Sequence, residues 1–281
     1  EYLPGAVDSI MKQRMTDFEL IIVNDGSTDA TKDYLATLTD PRIQVIDREN
    51  GGLPSALNCG FQRAIGEYRT WTSADNIVGP TWLGQLVAAL DAAPSTVGFA
   101  CSPFALINPE DHFIAIRRGQ DVRLDKLISR NPGIASFLYR TTVAEQVGHY
   151  DESLTGAEDW DMWLRILEVS DPVYVDDLLY YYRLHANSMT SSIPQKVARA
   201  SAAALEALHR RHGGGFDLDR IYPRLREAEN AKLARWQAKV RLATCLMDSP
   251  FCPLVWSSGL LIEALNERYA PEVHRNLVHL L

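Results

Sequence analysis

The apolar and polar positions in the first half of the chain alternate between two periods. Short apolar runs predict buried strands, whereas segments with apolar residues at helical spacing predict amphipathic helices. This alternation predicts an α/β fold with a mixed, mainly parallel sheet flanked by helices. We predict strands over Phe18–Val23, Arg42–Ile46, Glu67–Thr72, Val97–Ile107, His112–Ile116 and Ile134–Tyr139, with two more between Val173 and Leu184. We predict helices over Tyr2–Gln13, about Asp29–Leu38, Leu53–Ile65, Thr81–Asp91 and Glu158–Val169.

The residue pattern changes after Ile193. From Pro194 onward Ala, Leu, Arg and Glu recur at helical spacing, and Gly213–Gly215 interrupts them. We therefore predict an α/β domain over residues 1–193 and a C-terminal helical region over residues 194–281. The large apolar residues of that region are expected to pack a helical bundle: Trp236, Val240, Leu242, Trp256, Leu260 and Leu261.

Composition narrows the class of protein. The chain has 281 residues, 46% hydrophobic residues and a formal net charge of -8, which argues against nucleic acid as the main partner. Its four cysteines are scattered, as in reduced cytosolic proteins. No signal peptide opens the sequence, and the longest apolar run, Leu254–Leu265, is too short to span a bilayer. We expect a soluble cytoplasmic protein, peripheral at most at the inner face of the membrane.

Two polar segments follow the first predicted strands, where open α/β sheets bind ligands. In Val23–Asp29, Asn24 and Asp25 could accept hydrogen bonds from a nucleotide base or ribose, although a turn with a capping Asp is the simpler interpretation. In the second segment, Asn50 and Gly52 precede a helix start, and Asn58 follows within that helix. Glycines there let the backbone approach a ligand, but glycine pairs are common in loops.

A third polar segment, Ser73–Asn76, follows the strand predicted over Glu67–Thr72. An Asp75 carboxylate at that edge could bind Mg²⁺ or Mn²⁺, with Ser73 and Asn76 beside it. Such a metal would supply the positive charge that this acidic chain needs for a diphosphate. On its own, the segment is better explained as a turn before the next helix, with Asp75 or Asn76 as a turn residue.

A fourth segment opens the helix that starts at Glu158. Glu158, Asp159 and Asp161 stand within four residues, beside Trp160, which is denser than helix capping requires. Their mutual repulsion is expected to raise the pKa of at least one carboxyl group, which suits a general base. His185, after the Tyr-rich strand, is a candidate metal ligand, although a lone His is usually structural.

The order of these segments resembles family 2 glycosyltransferases, which have the GT-A fold. The match consists of V-N-D-G-S-T-D (Val23–Asp29), N-G-G-L-P-S-A-L-N-C-G-F (Asn50–Phe61), A-x-G-E-Y (Ala64–Tyr68), S-A-D-N (Ser73–Asn76), G-x-E-D-W-D-x-W-L-R (Gly156–Arg165) and Y-R-L-H-x-x-S-M-T (Tyr182–Thr190). It covers the chain from Glu1 to about Ser192. With Ala64–Tyr68 counted together with Asn50–Phe61, these are five segments, and their order and spacing make the match highly specific.

The resemblance implies a role for each matching residue. Asp25 would contact the nucleotide base, Asp75 would bind Mn²⁺ or Mg²⁺ under the diphosphate, and His185 would be a late metal or diphosphate ligand. Asp159 would be the catalytic base, with Glu158 as the alternative, and Trp160 with Asp161 would shape the acceptor pocket. The remaining donor-binding positions are Asn24, Asn50, Gly52, Asn58, Ser73 and Asn76. The implied reaction is a single displacement with inversion at the anomeric carbon.

The sequence departs from the family's pattern at several points. Ser73 stands where the first Asp of D-x-D is frequent, Leu57 stands where an Arg is frequent, and Asn24 replaces a frequent acidic residue. The family also opens with a further strand before the helix that starts here at Tyr2. We therefore expect the sequence to begin within the domain.

The implied partners are a nucleotide-sugar donor, a UDP-sugar first, and a glycan or lipid-linked acceptor. The C-terminal helices carry no family motif, and we favour packing or a homo-oligomer over contact with an anionic membrane through residues such as Arg210 and Arg211. A nucleotidyltransferase is the second interpretation, but no Gly-rich triphosphate loop is present. A non-catalytic nucleotide-sugar binder is the third, and Ser73 and Leu57 favour it.

Overall fold

Two compact units make up the chain in the computed structural model, which describes residues 1–118, 122–129, 131–186, 188, 193–222, 231–252 and 254–266. The first unit comprises Glu1–Arg123 and Pro132–Ala204, and the second comprises Leu124–Asn131 and Leu205–Leu281. The second unit is therefore discontinuous in sequence. The limit between the units falls after Ala204, whereas the domain boundary near Ile193 stays a prediction.

The first unit begins with a parallel βα arrangement. Its elements are α1 (Leu3–Met11), β1 (Leu20–Asp25), α2 (Thr31–Leu35), β2 (Ile43–Arg48) and α3 (Leu53–Phe61). Strands β1 and β2 pair in parallel from Leu20 opposite Ile43 to Asp25 opposite Arg48. Because parallel strands end at the same edge, this register brings the polar residues after both strands together.

Two mixed four-stranded sheets form the rest of the first unit. Their strands are β3 (Tyr68–Arg69), β4 (Ile77–Val78), β5 (Val97–Ser102), β6 (Phe104–Ile107), β7 (Phe113–Arg117), β8 (Ser136–Arg140), β9 (Asp171–Tyr174) and β10 (Tyr180–Arg183). The strand orders are β4-β10-β6-β7 and β3-β8-β5-β9. Pairs β6–β10 and β5–β9 are parallel, and the other pairs in these two sheets are antiparallel.

Helices α4 (Trp82–Ala92), α6 (Thr141–Val147) and α7 (Glu158–Leu167) accompany these sheets, with a 3₁₀ turn over Glu152–Leu154. Trp163 of α7 is fully buried and packs its ring 4.3 Å from that of Phe137 and 5.1 Å from that of Phe99. This aromatic cluster lies between α7 and the strands β5 and β8. It anchors the helix whose first turn carries the acidic segment.

The second unit contains α5 (Leu124–Ser129), the C-terminal part of α8 (Pro194–Arg211) from Leu205 on, α9 (Leu218–Ile221), α10 (Ala231–Met247) and α11 (Leu254–Asn266). Helix α10 packs against both α5 and α11. Trp236 of α10 packs with Val240, Leu261 and Ala264, which confirms the predicted helical packing for these residues. Among the described residues, none of the helices combines the length and apolar character needed to cross a bilayer.

The predicted α/β architecture is confirmed, with some differences in detail. The strand directions are more mixed than the mainly parallel arrangement predicted, and the strand predicted over Val97–Ile107 is divided at Pro103, which cannot donate a backbone hydrogen bond to a ladder. Helix α3 ends at Phe61 instead of Ile65, and strand β3 has only two residues. Helices α5 and α6 were not predicted.

Candidate active site

A cavity of about 310 Å³ lies at the carboxyl end of β1. The loop after β1, helix α2, the start of α1 and the Ser73–Asp75 turn surround it. Its polar lining includes Tyr2, Asn24, Ser27, Thr31, Ser73 and Asp75. The structure thus brings together two of the predicted donor-binding segments, at the edge of the sheet where the sequence predicts a ligand.

Asn24 is held rigidly in the cavity wall. Its Nδ2 donates to Asp47 Oδ1 at 2.7 Å, and its Oδ1 accepts from the Ser27 backbone N–H at 3.2 Å. The neighbouring Lys32 ammonium and this amide both hold the pKa of Asp47 low, with the amide hydrogen bond as the main cause. Asn24 therefore presents a fixed face to the cavity.

Asp25 has a different environment from the one predicted. Its carboxylate accepts hydrogen bonds from the backbone N–H groups of Gly51 at 3.0 Å and Gly52 at 2.8 Å, and Arg48 Nε lies 3.1 Å from it. Asn50 Nδ2 donates to the Asp25 carbonyl at 2.8 Å. The glycine N–H groups that the sequence predicts for a ligand thus donate to Asp25. Contact of Asp25 with a base stays a prediction.

Gly26 explains why these two loops lie so close. Its φ is +76°, and a Cβ atom there would lie 2.8 Å from the Asn50 backbone nitrogen. A side chain at this position would therefore separate the β1 loop from the Asn50–Gly52 loop.

Asp75 and His185 form a pair beside the cavity. Asp75 Oδ2 lies 2.9 Å from His185 Nε2, and both side chains are mostly buried. Two ligand atoms that bind one divalent ion at right angles, at about 2.1 Å, lie about 3 Å apart. The pair therefore fits a shared metal ion as well as a hydrogen bond. Within the described ranges, no group of three or more His, Cys, Asp or Glu side chains could hold a metal.

Asn76 and Asn58 lie outside the lining of this cavity and join other elements. Asn76 is buried, donates to the Tyr180 hydroxyl at 2.9 Å and accepts from the Arg183 backbone N–H at 2.9 Å. Asn58 is also buried, and its amide bonds both the N–H and the carbonyl of Tyr150 at 2.9 Å. Their side chains therefore have structural partners, and donor contacts by them stay predictions.

Glu158 and Asp159 begin α7 in unlike surroundings. Glu158 is buried, and its carboxylate accepts the Gly156 backbone N–H. Burial raises the pKa of Glu158, while the backbone N–H groups and the charge of Lys196 oppose the rise. A raised pKa at one of these carboxyl groups was predicted, but its cause is burial and not repulsion within the acidic segment.

Asp159 is half-buried, and its Oδ1 accepts the Trp160 backbone N–H at 2.6 Å. Tyr150 links this region to the Ser73 turn. Its hydroxyl accepts from Trp71 Nε1 at 2.9 Å, two residues before Ser73. Burial is the main cause that raises the pKa of Tyr150, and the charge of Asp159 contributes to it. The Asp159 carboxylate is therefore close enough to the Tyr150 hydroxyl for its charge to act there.

Trp160 and Asp161 do not line the cavity. Trp160 is fully buried in the first unit, so its side chain contributes to packing. Asp161 forms a buried ion pair with Arg165, whose Nε lies 2.8 Å from Asp161 Oδ2. This i,i+4 pair links two successive turns of α7. A direct contact of either residue with an acceptor stays a prediction.

Arg183 was missed by the sequence reasoning. Its Nε donates to the Asp75 carbonyl at 2.8 Å, so it adjoins the Asp75–His185 pair. The signal that could have identified it is an arginine two positions before the candidate metal ligand, at the end of a Tyr-rich strand. The Met189–Thr190 end of the same motif lies outside the described residues.

The family comparison agrees with this geometry. Residues 1–137 match the sequence profile of Glycosyl transferase family 2. The predicted resemblance to family 2 glycosyltransferases is confirmed over these residues, which make up just under half of the chain.

Individual relatives extend the likeness further along the chain. An uncharacterized glycosyltransferase of Rickettsia prowazekii is 30% identical over 199 residues, which are 68% of this chain and 62% of that protein. The chondroitin synthase of Pasteurella multocida is 23% identical over 222 residues, which are 78% of this chain and 23% of the synthase. The chain thus spans less than two thirds of the length of these relatives.

Solved structures of low sequence identity share the fold. S. aureus TarS in complex with UDP-GlcNAc has a TM-score of 0.59 at 17% identity, and the match covers 94% of this chain and 85% of that one. A mannosyltransferase of Pyrobaculum calidifontis, in complex with GDP-Man and Mn²⁺, has a TM-score of 0.57 at 18% identity, covering 94% and 76%. The GT-A fold implied by the resemblance is thereby confirmed.

Proposed function

We propose that this protein transfers a sugar from a nucleoside-diphosphate sugar to an acceptor hydroxyl, with inversion, in the synthesis of a polysaccharide, glycolipid or cell-surface glycan. The observation that carries the proposal is the cavity at the end of β1. Asn24, Ser73 and Asp75 line it together, and His185 lies 2.9 Å from Asp75. The family match over residues 1–137 covers these first three residues.

The donor is proposed to bind along this cavity. A volume of about 310 Å³ is at the lower end of the usual range for small-molecule sites, which suits part of a nucleotide sugar. The related folds were solved with UDP-GlcNAc and with GDP-Man, so both nucleotides belong in a first test. The rigid amide of Asn24 is the group we expect to contact the nucleoside.

Asp75 and His185 are proposed to hold Mn²⁺ or Mg²⁺. Carboxylate oxygen and imidazole nitrogen are suitable ligands for Mn²⁺, and their separation allows one shared ion. When bound, the ion would neutralise the charge that develops on the departing diphosphate. The pair alone supplies two ligands, so the diphosphate and water would complete the coordination.

Asp159 is proposed to accept the proton of the attacking hydroxyl. It is more exposed than Glu158, and its charge is close enough to the Tyr150 hydroxyl to raise the pKa of that group. Glu158 is buried and bonded to the Gly156 N–H, so a structural role suits it better. We therefore prefer Asp159 to Glu158 as the catalytic base.

The test compares wild type with Asp75→Ala and Asp159→Asn across UDP- and GDP-sugars. Binding is measured by calorimetry with and without Mn²⁺, and turnover by release of nucleoside diphosphate. We expect Asp75→Ala to abolish the metal-dependent part of donor binding. We expect Asp159→Asn to bind donor normally and to lose about 10²- to 10⁴-fold in kcat, as for removal of a general base.

Matched controls are Asp17→Ala and Asp177→Asn, which change exposed carboxylates. Both are expected to behave as wild type. Donor binding without any turnover, unchanged in Asp159→Asn, would favour the non-catalytic nucleotide-sugar binder. If no nucleotide sugar binds, the proposed function is wrong.

A further inference from the structure

Arg183 ends strand β10 with its side chain only 3% exposed. Its guanidinium makes several contacts at once. Nε donates to the Asp75 carbonyl at 2.8 Å, Nη1 donates to the Asn108 carbonyl at 3.2 Å and to the Pro109 carbonyl at 3.0 Å, and Nη2 lies 2.6 Å from Asp111 Oδ1. One side chain thus joins the Asp75 turn to the turn between β6 and β7.

The face of the same guanidinium is covered by an aromatic ring. The Tyr2 ring centroid lies 4.4 Å from Arg183 Cζ, and this ring also lies 5.4 Å from the ring of His185. Tyr2 lines the cavity. Arg183 is therefore in contact with the cavity wall as well as with the two turns.

The turn between β6 and β7 has an unusual backbone. Asp111 has a φ of +66°, and it is the only non-glycine residue with positive φ among the described residues. This conformation is less favourable for an L-residue than the right-handed one. The side chain of Asp111 is 67% exposed, so burial does not stabilise this backbone conformation. Asp111 itself is held by the ion pair to Arg183 and by the hydrogen bond from its N–H to the Asn108 carbonyl. On either side of it, the Glu110 and His112 backbone N–H groups donate to Asn108 Oδ1.

A buried arginine is costly unless its donors are satisfied, and a well-packed apolar residue would often stabilise a fold as much. Stability alone therefore gives little reason for Arg183. Its contacts instead join the Asp75 carbonyl, next to the Asp75–His185 pair, to the turn that contains residues 108–111. The planar guanidinium suits this arrangement because its N–H donors have a fixed geometry and can bond several acceptors at once.

We propose that Arg183 is a positioning residue for the donor site, which fixes the Asp75 main chain and the 108–111 turn against one guanidinium group. The role in the reaction rests on the proposed function. With the carbonyl of Asp75 held, its carboxylate stays in reach of His185. With the turn held, Asp111 stays paired with the same guanidinium that bonds the Asp75 carbonyl.

The test compares wild type, Arg183→Lys, Asp111→Asn and the control Arg118→Lys in the full chain. Arg118 is an exposed arginine that directly follows β7 of the same sheet, and it is paired with Asp176 at 3.2 Å. Amide hydrogen exchange of the ligand-free protein reports on residues 75–78 and 107–112. Donor kinetics across a Mn²⁺ titration report on the subsite.

Arg183→Lys keeps the charge but cannot join the three carbonyls and Asp111. We expect faster exchange in both segments and a rise of about 10- to 100-fold in the Mn²⁺ concentration for half-maximal activity, as for loss of second-shell support. The KM for donor should rise with it. Asp111→Asn should speed exchange in residues 107–112 only, and Arg118→Lys should change neither readout.

A merely structural role predicts a lower Tm and fewer active molecules, with unchanged KM and Mn²⁺ dependence, and this result would overturn the proposal. So would exchange that stays at the wild-type rate in both segments. If Arg183→Lys does not fold, Asp111→Asn decides the question. Exchange at the wild-type rate in residues 107–112 of that variant would show that Arg183 does not position the turn. If wild type binds no nucleotide sugar but the variants change the exchange as expected, the proposed function is wrong. The positioning of the two segments by Arg183 is then still supported.

Discussion

The two carboxylates at the start of α7 show how neighbouring residues acquire different chemistry. Glu158 is buried and bonded to the Gly156 N–H, whereas Asp159 is half-buried. Burial disfavours the charged form of a carboxyl group, so the pKa of Glu158 is raised in the folded protein. The folded protein therefore binds this proton more tightly than the unfolded chain does.

This difference predicts a pH effect on stability. The contribution of Glu158 to the free energy of unfolding should be fully present below the usual glutamate pKa of about 4.3 and lost as pH rises through the raised pKa. Glu158→Gln should not show this loss. Urea unfolding of wild type and variant between pH 4 and 8 checks it, with Glu145→Gln as an exposed control. A constant difference between the two proteins across this range would contradict the prediction.

The sequence was sufficient to predict which segments form the site, but not which hydrogen-bond partners their side chains have. Strand order along the chain was enough to bring Asn24, Ser73 and Asp75 to one cavity, because the strand ends converge. Asn58, however, bonds Tyr150, which is 92 residues away in sequence. No local pattern encodes such a partner. The same holds for the Asp25 carboxylate, which accepts hydrogen bonds from the backbone N–H groups of Gly51 and Gly52.

Among the elements, α7 owes its position to one aromatic face. Trp163 is fully buried against Phe137 and Phe99, while the half-buried Asp159 lies in the first turn of the same helix. The indole Nε1 of Trp163 has no hydrogen-bond partner among the described residues. The ring therefore stabilises the helix through packing, and its N–H does not add to that stability.

Substitutions at Trp163 should separate these two contributions. Trp163→Ala should lower the free energy of unfolding by about 3–5 kcal/mol, because it leaves a cavity among the rings. Trp163→Phe should cost much less, since it keeps ring contacts and removes a buried donor whose desolvation costs about 1–3 kcal/mol. Denaturant unfolding measures both values. Equal losses in the two variants would show that packing of the aromatic ring does not dominate.

Most strands could be predicted, because apolar runs of four to six residues bounded by turn residues are typical of buried strands. Their directions could not, since periodicity within a strand does not encode its neighbour. Helix α6 was missed because Thr141–Val147 is short and mixes polar and apolar residues. Helix α5 was missed for a related reason: its six residues include Asp125, which is buried at 1% exposure.

For the whole molecule, the discontinuous second unit changes how the C-terminal helices should be tested. Helix α5 belongs to that unit although it is encoded between β7 and β8, and it packs against α10. Leu127 and Ile128 of α5 are fully buried. Removal of the C-terminal helices would therefore leave part of their own unit behind in the shortened chain.

A chain cut after Ala204 is expected to aggregate, because Leu127 and Ile128 lose the α10 side of their packing. The same truncation with Leu127→Ser and Ile128→Ser should be more soluble. Size-exclusion chromatography with light scattering measures both, beside the intact chain. A monodisperse truncation without these substitutions would contradict the prediction. The mass of the intact chain tests the homo-oligomer proposed for the C-terminal helices.

The placement of α5 also has a consequence for biosynthesis. A ribosome makes α5 well before α10, which follows it by the whole of β8 to α9. At roughly 5 to 20 residues per second, several seconds pass before the helix can meet its partner. During that time Leu127 and Ile128 emerge from the exit tunnel with no native surface to cover them. A nascent chain of this protein should therefore be a client of ribosome-associated chaperones until its last helices are made.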